Sequence, residues 1–215
     1  MTISEKYRNE LMERTPIEER RDIVEKMTNN AVSEKEDKFF RILAEVVIIY
    51  AIVAIVVVVM FNWVIMFNYI PSGSMESTLM TDDVVIASHY DVGKVEDIRR
   101  YDIIVFIPPD DLDTLYIKRV IGLPGETIEV KDGQVYADGV RLDDSFTNGP
   151  QNPTGDGVYV VPEGCFFMMG DNRNKSLDSR FWDQKYVPIE NFVGKARVIL
   201  FPFDRIGTLD WEGGR

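Results

Sequence analysis

An uncharged stretch from Val46 to Met75 limits what this chain of 215 residues can fold into more than any other feature. Its first part, VVIIYAIVAIVVVVM, is almost wholly aliphatic, and runs of this length without a polar face are rare in the core helices of soluble proteins. About 20 apolar residues in a helix span a bilayer core of roughly 30 Å. We therefore predict a transmembrane helix over residues 42–66, with Asn62 and Trp63 at one end.

The residues on either side of the span indicate a retained anchor and its orientation. A cleaved signal peptide has a short charged region and a cleavage site after small residues, whereas here 41 largely polar residues come first and no such site follows. Residues 1–41 carry nine Lys and Arg, and residues 71–93 carry none. By the positive-inside rule, we expect a single-pass protein of the cell membrane with a cytoplasmic tail, residues 1–41, and an extracytoplasmic domain, residues 67–215.

The charge pattern of the tail indicates a solvated helix or a loosely ordered segment. Its stretch IEERRDIVEKM places opposite charges at helical spacing. A docking role for the tail is the alternative. We expect the outer domain to be a monomer, although no sequence feature fixes its oligomeric state.

Composition excludes several classes of function. The net charge of −12 argues against a nucleic-acid partner, since a phosphate backbone is bound chiefly by Lys and Arg. The single cysteine, Cys165, leaves no intramolecular disulfide, and with the single histidine, His89, it gives too few ligands for a Cys/His zinc site.

Beyond Phe67 the pattern is that of a mainly β fold with an antiparallel sheet. Short runs rich in Val, Ile, Phe and Tyr alternate with turn residues, and no helices of the kind that connect parallel strands lie between them. The strand candidates are VVIAS, YDIIVFI, LYIKRVIG, ETIEV, QVYA, VYVV, CFFMMG and ARVILF. The pairs Asp132-Gly133 and Asp138-Gly139 predict tight hairpins.

A serine nucleophile needs a base, and two side chains could supply it. His89 ends a strand candidate without a glycine-framed serine beside it, which is typical of a surface histidine. Lys118 lies among apolar residues in LYIKRVIG, and burial lowers the pKa of a lysine. Since alternate strand residues share a face, we expect one of Lys118 and Arg119 to be buried and the other to pair with a carboxylate.

Two further segments favour chemistry at the membrane surface. Ser72 and Ser74 flank Gly73 directly after the span, so a bend could direct a hydroxyl and a backbone N–H at one point, as an oxyanion hole requires. GDNRNKSLDSRFW, residues 170–182, is a polar loop whose serines Ser176 and Ser179 could orient a buried amine.

In that order after an anchor, SGSMESTL, YIKRVIGLPGE and GDNRNKSLDSRFW resemble the motifs of bacterial type I signal peptidases. The resemblance runs from the anchor to about residue 201. It implies a membrane-bound serine endopeptidase with a Ser/Lys dyad that removes signal peptides from exported preproteins, cutting after small residues of the Ala-x-Ala type. The partners it implies are preprotein signal peptides and the lipid bilayer, and it implies neither a metal nor an organic cofactor.

The resemblance also implies a role for each matching residue. Ser74 would be the nucleophile, Lys118 the general base, Ser72 the side-chain oxyanion donor and Ser176 the serine that hydrogen-bonds the lysine. Met75 would belong to an apolar surface that meets substrate and bilayer. The remaining matches would be structural supports: Arg119, Asp171, Arg173, Asp178 and Arg180.

Three positions depart from the family's common pattern. Ser77 stands where a proline is usual, and Asn174 and Lys175 stand where Asp-Asn is often found, which puts charge pairing in the loop in question. The endoplasmic-reticulum branch of the family has His at the position of Lys118, so the bacterial branch is favoured.

Two other functions remain open on the sequence. One is an anchored β domain that binds a protein partner without catalysis, with Ser72 to Ser74 as a linker. The other is a cysteine transpeptidase using Cys165, His89 and an arginine, although Cys165 lies within an apolar run where a buried small residue is expected.

Overall fold

The computed structural model describes residues 16–60 and 64–209. The predicted end-of-span residues Asn62 and Trp63, the tail residues 1–15 and residues 210–215 lie outside the described residues. Contacts divide the chain between Val57 and Val58 into two compact units, which are described separately below.

In the part of the first unit that the structure describes, the chain forms one helix, α1, which runs from Ile17 to Val59 and so ends two residues past the boundary between the units. Within it, Arg21–Val59 is long and apolar enough to cross a membrane, and its apolar side chains are exposed. Residues 17–41, which belong to the predicted tail, are therefore helical, one of the two forms expected of it. The predicted span of 42–66 is too long at its C-terminal end, because Ile65 and Met66 pair with Ser88 and Ala87 in a β-sheet.

The second unit is built of short antiparallel strands. Their bounds are β1 (Ile65–Tyr69), β2 (Val84–Ser88), β3 (Ile103–Phe106), β4 (Tyr116–Gly122), β5 (Thr127–Lys131), β6 (Gln134–Ala137), β7 (Val140–Arg141), β8 (Gly157–Val160), β9 (Cys165–Met169), β10 (Val187–Pro188), β11 (Phe192–Phe201) and β12 (Gly207–Thr208). Every run of the sequence chosen as a strand candidate contains or overlaps one of these strands. The predicted fold class, mainly β and antiparallel, is confirmed.

The strands form two sheets within the described residues. The larger has the order β1-β2-β11-β3-β4-β9-β10, with β12 paired to β11, and the smaller has the order β7-β6-β5-β8. Both predicted hairpins belong to the smaller sheet. Asp132 and Gly133 join β5 to β6, Asp138 and Gly139 join β6 to β7, and all four have positive φ, as a two-residue type I′ turn requires.

Strand β4 lies at the centre of the larger sheet, between β3 and β9, and carries both predicted site cations. An aromatic-rich core packs against one part of this sheet and includes Phe106, Phe166 and Trp182. A second cluster, with Ile70, Leu79 and others, underlies the segment that follows β1. The candidate site is therefore built on buried, sheet-borne backbone.

Candidate active site

Ser74 lies in a short 3-10 turn, Gly73–Met75, that follows β1 after an extended Ser72. The turn is closed by backbone hydrogen bonds from Glu76 N to Gly73 O and from Leu79 N to Met75 O. Ser74 is buried, whereas Ser72 is exposed. The bend expected at Gly73 is therefore present, and it holds the hydroxyl of Ser74 against the sheet.

Lys118 reaches Ser74 from the middle of β4. Its Nζ lies 2.8 Å from Ser74 Oγ, and it donates to the carbonyl oxygen of Ile117 at 3.0 Å. The side chain is only 4% exposed. The sequence predicted that one of Lys118 and Arg119 would be buried. Both are buried, on opposite faces of the strand.

Burial is the main reason that the pKa of Lys118 falls from 10.5 to about 8. Desolvation penalises the ammonium form, while the charges of Asp178 and Asp171 act against it and raise the pKa. About a tenth of the amine is therefore neutral at pH 7, far more than for a lysine with the ordinary pKa. A neutral amine beside a serine hydroxyl can accept its proton.

The hydroxyl and the amine face a cleft of about 350 Å³. Its walls include Pro71 and Ser72 on one side, Leu115 and Tyr116 on another, and Leu177 from the third motif. Ser72 thus borders the same space as Ser74. The cleft is largely apolar apart from the hydroxyls and the amines, which suits short uncharged side chains of a peptide.

Ser176 lies beside the turn Gly73–Met75, which carries the candidate nucleophile and is called the nucleophile turn below. The Oγ of Ser176 is buried but forms no hydrogen bond with any described residue. A methyl group added at Gly170 would collide with both Ser176 and the carbonyl oxygen of Ser74, so the three backbones are closely packed. Ser179 is used differently, since its Oγ accepts a hydrogen bond from the amide of Met168 at 2.9 Å.

Arg119 forms a bidentate ion pair with Asp171 behind the dyad. Its Nε lies 2.8 Å from Oδ1 and its Nη2 lies 2.6 Å from Oδ2, and both side chains are almost fully buried. Thr78, four residues after the nucleophile, donates to the same carboxylate at 2.5 Å, and Arg119 also donates to the carbonyl oxygen of Tyr101. The expectation that Arg119 meets a carboxylate of the third motif holds.

The other charged residues of the third motif form a second buried network. Arg180 binds Asp178 in a bidentate pair, with Nε–Oδ1 at 2.8 Å and Nη2–Oδ2 at 2.9 Å. Asp178 also accepts from the amide of Gly170. Arg173 donates instead to Gly170 O and to the side-chain oxygen Oε1 of Gln151. Burial, with the nearby charge of Arg180, lowers the pKa of Arg173 to about 10.

Asn172 ties the third motif to the nucleophile turn, a contact that the sequence reading missed. Its amide N–H donates to Ser74 O at 3.1 Å, and its Nδ2 donates to Gly73 O at 3.0 Å and to Glu76 Oε2 at 2.9 Å. Nothing in the local sequence distinguishes Asn172 from other loop residues. Its role becomes visible only when residues almost one hundred positions apart are placed together.

The predicted position of Met75 on an exposed apolar surface was wrong. Met75 is fully buried in the core cluster with Ile70, Leu79 and Val85. The 3-10 turn rotates successive side chains by about a third of a circle, so presenting Ser74 to the cleft points Met75 into the core.

The departures from the family pattern also have structural consequences. Ser77 has φ of 95°, a value that proline cannot adopt, and its Oγ donates to the carbonyl oxygen of Phe146. Asn174 bridges to the neighbouring loop through Pro150 O and Asn152 N. The two buried ion pairs of the loop form without an acidic residue at position 174.

The cysteine-based alternative is not supported by the geometry. Cys165 lies on β9 and His89 follows β2, and three strands separate β9 from β2 in the sheet. His89 Nδ1 contacts the carbonyl oxygen of Val193 instead, and burial raises the pKa of the Cys165 thiol. Among the described residues, no three His, Cys, Asp or Glu side chains are placed to hold a metal ion.

Comparisons with known proteins identify the family of the chain. A profile of the family described as "Signal peptidase, peptidase S26" matches residues 43–201. A probable signal peptidase I-2 from Synechocystis is 39% identical over 153 residues, covering 68% of this chain and 68% of that protein. A signal peptidase I from Leptolyngbya laminosa is 41% identical over 152 residues, covering 66% and 71%.

A crystal structure of a signal peptidase I from Enterococcus faecalis is 34% identical, with a TM-score of 0.40, covering 46% of this chain and 95% of that one. The profile match covers well over half of the sequence and includes all three motifs that line or support the cleft. The chain belongs to the signal peptidase family, peptidase S26.

Proposed function

We propose that Ser74 is the nucleophile and Lys118 the general base with which this serine endopeptidase removes signal peptides from exported preproteins, after an Ala-x-Ala sequence. The observation that carries the assignment is the 2.8 Å separation of Lys118 Nζ and Ser74 Oγ. The lowered pKa of Lys118 supports it, because a base must be unprotonated before it can act.

In the first step, Ser74 Oγ bonds to the carbonyl carbon of the scissile peptide while its proton moves to Lys118 Nζ. The carbonyl oxygen becomes an oxyanion. We assign its stabilisation to the hydroxyl of Ser72, which borders the cleft, together with a backbone N–H of the turn. The tetrahedral centre collapses as the C–N bond breaks, and Lys118 returns the proton to the leaving amine.

In the second step, water attacks the acyl-enzyme and gives a proton to Lys118, and Ser74 Oγ recovers a proton when the signal peptide departs with a free carboxylate. The buried lysine must therefore take up and release a proton twice in each cycle. Ser176 is the group that we expect to orient the amine, because its buried Oγ has no hydrogen-bond partner among the described residues and would gain one from the amine.

We also propose that the enzyme works at the outer face of the cell membrane, anchored by the apolar part of α1 and with its N-terminus in the cytoplasm. The excess of Lys and Arg before the anchor supports this orientation. Substrates tethered by their own apolar segments would then arrive at the surface where the domain begins. We assign residues 1–41 to the tail. The anchor begins at residue 42 and ends before Ile65, where strand β1 opens the peptidase domain.

The test is cleavage of a preprotein with an Ala-x-Ala signal by the full chain in non-ionic detergent. We expect wild type and Cys165→Ala to release a fragment ending at the final Ala, measured by mass. Ser74→Ala and Lys118→Met should bind the substrate but not cut it.

Folding of the two inactive variants is checked by circular dichroism and thermal unfolding. Cleavage by folded Ser74→Ala at the wild-type rate would refute the assignment. Inactive but folded wild-type enzyme would instead favour a binding domain.

A further inference from the structure

The cleft beside the dyad carries an exposed cation that the mechanism does not use. Two charged residues line this cleft, Lys118 and Lys175, and no carboxylate does. Lys118 is buried, with its amine on Ser74. Lys175 is exposed, and among the described residues no carboxylate lies within ion-pair distance of its amine. It is therefore the charge that an arriving peptide would meet.

The backbone around Lys175 is held by hydrogen bonds, so the fold sets the point from which this side chain projects. Lys175 N donates to Asn172 O at 3.0 Å, and Asn172 is itself bonded to the nucleophile turn. The preceding residue, Asn174, is hydrogen-bonded to Pro150 and Asn152, and the following residue, Ser176, is buried. The flexible stem of Lys175 starts from a fixed point at the rim of the cleft, next to Leu177.

The surroundings make this cation unusual. The chain has a net charge of −12, and three aspartates, at 110, 111 and 113, precede the cleft residue Thr114 without lining the cleft. A positively charged rim on an acidic protein creates a local field that attracts a negative group and repels a positive one. Like-charge contacts are an effective way to reject the wrong partner.

We propose that Lys175 is a specificity-determining residue that favours preproteins with an acidic side chain near the scissile bond and disfavours those with a basic one. The proposal rests on the function assigned to the cleft above. Small residues are required at the first and third positions before the cut, so the charge is read at the second position before it or at the first two positions after it.

The test uses full-length enzyme in non-ionic detergent and synthetic preproteins with Ala at the first and third positions before the cut. Glu, Gln or Lys is placed at each of the three remaining positions in turn, and kcat/KM is measured at low salt. For wild type we expect a Glu-to-Lys ratio of about 1.5-fold to fivefold at one or more positions, the range expected of exposed charge pairs. The ratio should fall in 0.5 M NaCl, where the Debye length is much shorter.

Two variants of the same residue separate charge from shape. Lys175→Gln should flatten the ratio, and Lys175→Glu should invert it. The matched control is Lys131→Glu, which makes the same charge change at an exposed position on the smaller sheet and should leave the ratio as in wild type.

A Glu-to-Lys ratio that stays the same in wild type and Lys175→Glu overturns the proposal while leaving the peptidase assignment intact. If wild type fails to cut even the Gln substrates, the proposed function fails and this inference fails with it. The two failures are distinguished by the Gln substrate alone.

Discussion

At the scale of single residues, Lys118 reaches hydrogen-bond distance of Ser74 only by being buried, and burying a lysine costs stability. Lys118 is useful because burial keeps part of it neutral, and the same burial makes its charged form unfavourable in the folded protein. The two consequences can be measured separately, one in the rate and the other in stability.

The rate should depend on pH through Lys118. Since the pKa is about 8 and the base acts unprotonated, kcat/KM should rise about tenfold per pH unit below that value and level off above it. A pH series on a substrate without titratable groups near the cut measures this limb. A profile that is flat from pH 6 to pH 9 would contradict the assignment of Lys118 as base.

Removing the buried lysine should abolish activity without lowering the stability of the folded protein at neutral pH. Between pH 8 and the unfolded value of 10.5, the unfolded chain binds more protons than the folded chain, so the free energy of unfolding rises with pH across that window. Lys118→Met removes this dependence. At pH 7 we expect the inactive variant to have a Tm no lower than wild type, as measured by differential scanning calorimetry.

Breaking the buried pair of Arg119 and Asp171 should lower the free energy of unfolding far more than breaking a surface pair. Asp171→Asn leaves a buried guanidinium without its countercharge, which costs about 3–5 kcal/mol. The control is Arg141→Ala, since the exposed Arg141 lies 3.8 Å from the half-buried Asp144, and pairs at the surface contribute less than about 1 kcal/mol. Urea unfolding followed by fluorescence compares the two, and equal losses would show that burial is not the cause.

At the scale of elements, the active site depends on close packing between the nucleophile turn and the loop after β9. Gly170 begins that loop, and a Cβ at this position would collide with the carbonyl oxygen of Ser74 and the side chain of Ser176. The requirement for glycine here is steric, because its φ is not in the left-handed region.

Gly170→Ala should therefore displace the turn that carries Ser74. A shift of about 1 Å in a reacting group can lower a rate by a factor of about 100. The control is Gly93→Ala, where the added methyl group meets no atom within 4 Å. We expect kcat to fall in the first variant and to stay at the wild-type value in the second. Comparable kcat values would argue that the loop yields without moving Ser74.

Sequence patterns were informative at this scale wherever the signal was local. Asp132-Gly133 and Asp138-Gly139 fixed two hairpins because type I′ turns need residues that tolerate positive φ. The start of β1 was missed because Ile65 and Met66 continue the apolar run of the anchor and only their pairing with β2 distinguishes them. Asn172 and the burial of Met75 depend on contacts between distant segments, which no local pattern encodes.

At the scale of the whole molecule, the open question is which side of the membrane each part occupies. The single cysteine makes this measurable, since Cys165→Ala gives a background without thiols. Ser33→Cys lies on an exposed part of α1, and Ser145→Cys lies on an exposed part of the β domain.

In intact cells, a membrane-impermeant maleimide should label Ser145→Cys and not Ser33→Cys, because the proposed topology puts only the β domain outside. After the membrane is permeabilised, both should be labelled. Labelling of Ser33→Cys in intact cells would reverse the proposed orientation.

Helix α1 continues without a break from Ile17 to Val59, and its polar part, residues 17–41, is about 37 Å long at 1.5 Å per residue. The field of an anionic lipid surface fades over about 8 Å at physiological salt. On a helix that leaves the bilayer steeply, Lys38 and Arg41 lie within that distance, whereas Arg21 and Lys26 lie well beyond it. A small number of cations next to the anchor would then sense the lipid charge, while the far end of the helix stands in bulk electrolyte as a rigid spacer.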